Sequence, residues 1–105
     1  MWKYTVANDA GGGPRWWLYN ASNSLMAYSE AYDSTANAQR GAATFKQHAA
    51  QWRYAAFQGG DGRYYWHAQA GNNEIVASGS NFATKAEAEG QMNAVRVNGG
   101  TATGP

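Results

Sequence analysis

The reactive side chains of this 105-residue chain are few: it has two histidines and seven acidic residues, and it has no cysteine. His48 falls where a helix is expected to end, a position that favours a cation near the last carbonyls, and His67 falls within a predicted strand. The acidic residues are scattered over turns and helix starts, where Asp33 and Glu87 are explained by the helix dipole. No serine forms a plausible nucleophile–base pair with either histidine. We therefore expect no catalytic site, no metal centre and no cofactor, and we expect that the protein is not an enzyme.

A glycine-rich run, Gly11-Gly12-Gly13-Pro14, has the composition of a phosphate-binding loop. It lies between two predicted antiparallel strands and does not precede a helix, and it lacks the lysine of a nucleotide-binding P-loop. We therefore interpret it as the flexible tip of a hairpin.

Aromatic side chains with neighbouring cations are the residues best suited to bind a partner. Successive strand residues point to opposite sides of a sheet, so each predicted strand divides its residues between two faces. The large apolar residues expected to face the helices are Trp16, Leu18 and Trp66. The other side of the same strands then carries Arg15, Trp17 and Tyr19, and Tyr65, His67 and Gln69. Because aromatic rings bury a large area at a low entropic cost, the first hypothesis is a non-catalytic interaction or structural module. It would bind a protein partner, or itself, through this aromatic sheet face.

Two other interpretations stay open. In one, the aromatic face is closed by the second half of the chain, by crossing strands or by another copy of the protein. In the other, the rings, with Arg15 and Arg63, stack on the bases of a single-stranded nucleic acid. The net charge of +1 argues against nucleic acid, because single-strand binders usually add a basic groove.

The balance of charges and the lack of long apolar runs indicate where the protein is expected to be found. Eight basic and seven acidic residues give no electrostatic reason to expect binding to duplex DNA, RNA or an anionic membrane. The first residues alternate between large and polar side chains, so we expect no signal peptide. No segment approaches the roughly 20 apolar residues of a membrane span. We expect a soluble cytoplasmic protein or a component of a phage particle.

The strongest pattern in the chain is an internal repeat with a period of 50 residues and no gap. Large rings, a turn asparagine, a helix-capping hydroxyl and a terminal cation recur in the same register. The matched pairs include Trp2 and Trp52, Tyr4 and Tyr54, Trp16 and Trp66, Asn23 and Asn73, Tyr32 and Phe82, Ser34 and Thr84, Phe45 and Val95, and Lys46 and Arg96. We therefore expect two equivalent units, residues 2–50 and 52–100. A short tail, 101–105, is expected to be mobile, with nothing to pack against.

Each unit is predicted to contain three strands followed by a helix. Alternation of side chains predicts strands at 2–7, 15–20 and 25–29, and at 52–57, 64–69 and 75–79. Glycine-rich turns at 9–14 and 59–62, and asparagine-containing turns at 21–24 and 70–73, connect them. Ser34 and Thr84 are expected to cap the helices, with Glu87 completing a capping box. The second helix is expected to end at Asn98, with a glycine cap after it.

The composition predicts an unusual core. The chain has fifteen aromatic residues and twenty-one alanines, but only seven Leu, Ile and Val residues together. Rings packed on alanine faces are therefore expected, since one ring can bury about 150–250 Å². The residues expected on the buried helix faces are Ala38, Ala42 and Phe45, and Ala88, Met92 and Val95. A unit of about 50 residues buries too little surface to be stable alone. We therefore predict a single α+β domain, residues 1–105. It would have one antiparallel sheet, both helices on one face, and a pseudo-two-fold axis relating the units.

Residues 73–78 (Asn-Glu-Ile-Val-Ala-Ser), residues 82–96 and the pair Arg15-Trp16 resemble, in order and spacing, three parts of one family. These parts are the third strand, the helix and the second strand of the YegP-like family, a bacterial and archaeal group of uncharacterised function. The resemblance covers residues 2–98. It implies a β3-α-β unit paired in tandem or as a dimer, with one continuous sheet in which terminal strands cross between units. It implies no known activity and no catalytic residue. The family's mid-helix glycine is present as Gly41 but is replaced by Gln91 in the second unit, where helix packing is expected to differ.

Overall fold

The computed structural model describes residues 1–9 and 11–105 of the chain. Three strands and a helix are followed by the same order of elements again. The first half contains β1 (Lys3–Asp9), β2 (Gly13–Tyr19), β3 (Leu25–Tyr28) and α1 (Thr35–Gln47). The second half contains β4 (Arg53–Gln58), β5 (Tyr64–Gln69), β6 (Ile75–Phe82) and α2 (Lys85–Asn98). All six strands belong to one sheet of order β1-β2-β3-β6-β5-β4.

The two halves meet in the middle of the sheet, where β3 pairs with β6 at equivalent positions of the repeat. The outer hairpins have the same register, since Tyr4 is opposite Leu18 and Tyr54 is opposite Ala68. Helix α1 contacts mainly β1 and β2, and α2 contacts mainly β4, β5 and β6. This arrangement confirms the predicted α+β fold with one antiparallel sheet and two helices.

The local signals in the sequence form as predicted at the turns and at the helix starts. Asn23 and Asn73 have φ values of 67° and 68°, in the left-handed region that asparagine tolerates better than most residues. The Ser34 hydroxyl accepts a backbone N–H three residues on, at 3.1 Å. Thr84 and Glu87 form the predicted capping box. These contacts satisfy donors that every helix start leaves free.

The core lies between the sheet and the helices and is built from rings and alanines. Trp16 and Trp66, which are equivalent in the repeat, are completely buried at its centre. The ring of Phe45 on α1 packs on Trp16 with the ring centroids 4.9 Å apart. The buried helix residues are those predicted: Ala38, Ala42 and Phe45 on α1, and Ala88, Met92 and Val95 on α2. Both halves contribute to one continuous core.

Several strand boundaries differ from the prediction by one to three residues, and the largest differences arise because pairing extends the strands. Gly13 is already part of β2, opposite Asp9, so the first hairpin is tighter than the predicted turn. Ala10, in the same predicted turn, lies outside the described residues. Strand β6 continues to Phe82, beyond its predicted end at 79, because it pairs there with Tyr64.

Helix α2 ends at Asn98 as predicted, but the glycine after it is needed for a different reason. Gly99 has φ of −62°, a right-handed conformation, and not the left-handed one typical of a glycine cap. A Cβ on Gly99 would lie 2.7 Å from the carbonyl oxygen of Val95 and 3.1 Å from the Cβ of Ala49. The tight last turn of α2 therefore requires glycine here, and Ala49 of the first half leaves little further space for a side chain.

The tail, residues 101–105, packs against the first half of the chain, and the expectation that it has nothing to pack against is wrong. The backbone N–H of Thr103 donates to the Trp2 carbonyl, and its own carbonyl accepts from the N–H of Tyr4, both at 2.8 Å. These bonds make a parallel bridge to β1. Ala102 is only 2% exposed. Five small residues carry no pattern of their own, so the sequence does not reveal that the edge of β1 lies beside the end of α2.

Two tyrosines tie the edge strands to the helix ends. Tyr4 of β1 donates its hydroxyl proton to the Gly99 carbonyl at 2.8 Å, at the end of α2. Its repeat equivalent, Tyr54 of β4, donates to the Ala49 carbonyl at 2.6 Å, just after α1. Burial raises the pKa of both hydroxyls above their ordinary value of 10, so both stay protonated donors at neutral pH. Each half of the chain thus caps the helix end of the other.

The difference between Gly41 and Gln91 has a packing explanation. A Cβ on Gly41 would lie 2.1 Å from the hydroxyl oxygen of Tyr32. The equivalent ring in the second half belongs to Phe82, which has no hydroxyl group. There Gln91 fills the helix position, and its Oε1 accepts a hydrogen bond from Nε1 of the buried Trp66 at 2.8 Å. Helix–sheet packing therefore differs between the halves at this contact.

Candidate interaction face

The side of the sheet away from the helices carries a row of residues that crosses all six strands. Strand pairing places them next to each other in the order Thr5, Trp17, Tyr28, Ser78, His67 and Ala55. Their side chains are partly or fully exposed, whereas neighbours along the same strands, such as Leu18 and Ala68, are buried. Further residues on the same side of these strands are Arg15, Tyr19, Phe57 and Tyr65. We call the row and these four residues the open face.

The second half of the open face is a cluster of rings in mutual contact. Phe57 stacks on Tyr65 with ring centroids 5.9 Å apart and an interplanar angle of 20°. The ring of Phe57 also lies 4.6 Å from the ring of His67. Phe57 is 39% exposed, which is unusual for a large apolar residue in this structure. The cluster therefore presents apolar surface that is already ordered.

The centre of the open face connects this cluster to the first half. Trp17 is opposite Tyr28 in the pairing of β2 with β3. The pKa of the Tyr65 hydroxyl is raised, chiefly by its hydrogen bond to Asp61 and to a smaller extent by the nearby Tyr28. That same hydrogen bond lowers the pKa of Asp61. The two halves of the repeat thus contribute rings to one surface.

The cations of the open face are held by backbone carbonyls. Arg15 donates to the carbonyl of Ser29 at 3.3 Å, and Arg63, at the edge of the face, donates to that of Asn81 at 3.0 Å. These bonds tie each guanidinium group to the backbone of a neighbouring segment of the chain. The face is therefore mainly aromatic, with charge at its margins.

His67 is the titratable group in the middle of the open face. Burial lowers its pKa below the ordinary histidine value of 6.5, and the nearby carboxylate of Glu30 opposes this effect. At neutral pH the imidazole is therefore uncharged. It adds one hydrogen-bonding ring to the aromatic surface without adding a charge.

The structure places all five predicted partner-binding residues on the open face. Arg15, Trp17, Tyr19, Tyr65 and His67 lie on strands β2 and β5, on the side away from the helices. Their role in binding stays a prediction.

Of the five open-face residues outside the predicted set, two are aromatic, Tyr28 and Phe57. Both lie on strands whose alternation was recognised, and the same two-residue period applied to β3 and β4 identifies them. The contact of Phe57 with Tyr65, by contrast, depends on the pairing of β4 with β5, which the local sequence does not show.

Both helices pack on the opposite side of the sheet from the open face. Within the part of the chain that the structure describes, no helix or strand covers this face, so the second half of the chain does not close it.

Among residues 1–9 and 11–105, no group of three or more histidine and carboxylate side chains is arranged to hold a metal ion. Across the same residues, no helix is long and apolar enough to cross a membrane.

Fold and face together define a small tandem-repeat α+β protein with an aromatic open face on its single sheet. Two segments, residues 9–52 and 60–103, match the model of a domain of unknown function, DUF1508. The chain belongs to this family, which confirms the resemblance seen in the sequence. Each matched segment begins at a hairpin, continues through a helix and ends just after it. The family unit therefore includes the residues after the helix, which lead to the other half of the chain.

Curated relatives support the same assignment. Over 76 residues the chain is 33% identical to the UPF0339 protein YegP of Escherichia coli O6:H1, covering 71% of this chain and 69% of the relative. It is 32% identical over the same length to YegP of Shigella flexneri.

Two solution NMR structures share the fold. One is a protein of unknown function, YegP from E. coli, with a TM-score of 0.83 and 24% identity, covering 97% of this chain and 89% of that one. The other is a UPF0339 protein from Shewanella oneidensis, with a TM-score of 0.82 and 19% identity, covering 97% and 87%. These descriptions assign no activity to the family.

Proposed function

We propose that the protein is a non-catalytic interaction module that binds a protein partner through its open face. The observation that carries this proposal is the continuous row across all six strands, with Trp17, Tyr28 and His67 in it and Phe57 and Tyr65 beside it. Such a surface is held by a rigid sheet, so a partner gains buried area without having to order flexible segments.

The residue types support a protein partner. Tryptophan and tyrosine are enriched among the residues that contribute most to binding at protein interfaces. A ring on a strand loses little entropy on binding, because its neighbours already restrict its rotation. Phe57 and Tyr65 are stacked before any partner arrives. These features favour association driven by buried ring surface.

The electrostatics favour a partner surface that is apolar and close to uncharged. The chain has a net charge of +1, and His67 is neutral at pH 7 because burial lowers its pKa. Arg15 and Glu30 lie at the margin of the ring surface and bear opposite charges. A partner with an apolar strip bordered by hydrogen-bonding groups fits this pattern, and binding is expected to depend weakly on salt.

The test compares Trp17→Ala with a matched control that removes exposed apolar surface elsewhere. Val97→Ala serves as the control, because Val97 is 75% exposed on α2, away from the open face. Partners captured by the wild type are purified, and their affinities for both variants are measured by isothermal titration calorimetry. Loss of at least about tenfold in affinity for Trp17→Ala alone supports the proposal. Equal affinity of the two variants would contradict the proposal. So would an NMR titration of the wild type with the partner in which the chemical shifts change on the helices and not on the open face.

Stacking of single-stranded nucleic acid on the same rings is the alternative function. It is favoured by Arg15 and Arg63 beside Trp17 and Tyr65, since a guanidinium group and a ring together suit an unpaired base. Fluorescence anisotropy with a labelled oligothymidine at low salt tests it directly. Saturable binding that weakens steeply with salt would favour this alternative over a protein partner. A flat titration would end it.

A further inference from the structure

The two edges of the sheet are formed by equivalent strands but are used differently. The N–H of Tyr4 on β1 points away from β2 and donates to the carbonyl of Thr103 in the tail. Tyr54 has the same register on β4 as Tyr4 has on β1, so its N–H also points out of the sheet. By the alternation of strand hydrogen bonding, the backbone groups of Ala56 and Gln58 point outward as well.

The outward-facing backbone of β4 has no hydrogen-bond partner within the residues that the structure describes. No backbone group is bonded to the N–H of Tyr54 or Ala56 there. By contrast, the tail already pairs with the beginning of β1. The chain therefore covers part of one edge of its sheet, and within residues 1–9 and 11–105 no segment covers the equivalent part of the other edge.

Strand β4 also lacks the features by which proteins usually block an edge. Between Tyr54 and Phe57 there is no charged residue, no proline and no bulge. Arg53 is drawn back towards the β5–β6 turn, where it donates to Asn73. An edge of this kind is a ready template for pairing with another strand.

The side chains of β4 are complementary to those of a second β4 in the antiparallel orientation. If Ala56 of one copy is opposite Ala56 of the other, Tyr54 is opposite Gln58 and Phe57 is opposite Ala55. Each exposed Phe57 ring then covers the small Ala55 side chain across the interface, on the same side as the open face. Arg53 is opposite Gly59 and next to the turn that carries Asp61. The pairing therefore opposes no like charges.

We propose that the protein forms a homodimer in which the edge of β4 pairs antiparallel with β4 of a second copy. The pairing joins two six-stranded sheets into one and places the two open faces side by side on the same surface. The surface for a partner is then doubled, and a partner with two sites gains affinity from simultaneous contact. The dimer does not depend on the identity of any partner of the open face.

Sedimentation velocity of the full chain tests the dimer at protein concentrations from about 10 µM to about 1 mM. This range covers the dissociation constants expected for a small interface. Ala56→Pro removes an outward N–H, which proline tolerates at an edge position of a strand. By symmetry the dimer loses two donors, so its dissociation constant is expected to rise about tenfold or more. Ala56→Ser keeps the N–H and is the matched control, with an unchanged dissociation constant.

A second variant keeps the test decisive if Ala56→Pro fails to fold, as judged by circular dichroism. Phe57→Lys replaces an exposed ring by a charge on each side of the two-fold axis, and it is expected to weaken the dimer by a similar factor. A wild type that stays monomeric over the whole range would overturn the proposal. So would a dimer that both folded edge variants retain. If Trp17→Ala abolishes that dimer, the contact runs through the open face instead of the edge.

Discussion

The hydrogen bond from Tyr4 to Gly99 offers the sharpest test of how the two halves are joined. Tyr4 is 5% exposed, and its hydroxyl reaches the Gly99 carbonyl over 2.8 Å. Tyr4→Phe keeps the ring and leaves a buried carbonyl without its donor. We expect the free energy of unfolding to fall by about 1.5 kcal/mol. The melting temperature is then expected to fall by about 6–12 °C.

The repeat supplies an internal comparison in Tyr54→Phe. Tyr54 makes the equivalent bond to Ala49, which is only 2% exposed, but the Tyr54 side chain itself is only partly buried, so the space left by its hydroxyl group lies closer to solvent than at Tyr4. Its loss is expected to be smaller, about 0.5–1 kcal/mol. Urea unfolding monitored by tryptophan fluorescence measures both variants and the double variant. Tyr4→Phe with wild-type stability, or with a smaller loss than Tyr54→Phe, would refute the argument.

Alkaline pH provides a second readout of the same contact. Burial raises the pKa of Tyr4 above its ordinary value of 10. Above pH 10 the unfolded chain therefore releases a proton that the folded chain retains, and stability falls as the pH rises. Tyr4→Phe removes this contribution, so its stability is expected to decline less steeply than that of the wild type. Parallel slopes for the two proteins would contradict the assigned burial of the hydroxyl.

Other predictions follow from single contacts. Gly79→Ala is expected to destabilise by about 3 kcal/mol or more, because its Cβ would lie 2.0 Å from Nε1 of the fully buried Trp66. Gly90→Ala, where nothing lies within 4 Å, is expected to stabilise α2 by about 0.5–1 kcal/mol, and urea unfolding of the pair checks both signs. Deleting residues 101–105 removes the two backbone hydrogen bonds to β1, a third to the end of α2 and a buried methyl group, and it is expected to cost about 2–3 kcal/mol in the same assay. Burial lowers the pKa of His67, so stability is expected to fall as the pH drops below 6.5, where the unfolded chain binds the proton first. His67→Gln should flatten that profile between pH 7 and 5, and an unchanged profile would exclude His67 as its cause.

Much of the fold could be predicted because its signals are local or periodic. The 50-residue repeat, the caps at Ser34 and Thr84 and the left-handed Asn23 and Asn73 depend on neighbouring residues, and all of them form as expected. Alternation along β2 and β5 also separated buried from partly exposed rings correctly. Such patterns can be recognised in the sequence because each of these residues is constrained by its own backbone conformation and by the face of the single element on which it lies.

Contacts between distant parts of the chain could not be predicted in this way. Alternation along β4 can assign Phe57 to a side of the sheet, but its contact with Tyr65 depends on the order of the strands, which the packing of the whole chain decides. The difference between Gly41 and Gln91 at equivalent helix positions is explained by their neighbours in space. Tyr32 leaves no room for a side chain at Gly41, and Trp66 donates a hydrogen bond to Gln91. A single sequence shows a departure from the repeat at this position but not the ring that causes it.

The sequence alone determined that two equivalent units share a core of rings and alanines, since neither unit can bury enough surface by itself. Only the tertiary structure decided how the edges of the sheet are used. The tail pairs with β1 because the end of α2 brings Thr103 beside Tyr4, residues that are almost a full chain length apart. Among the residues that the structure describes, no comparable segment reaches β4. This difference between two equivalent strands arises from where the chain runs in space, and hydrophobic pattern does not encode it.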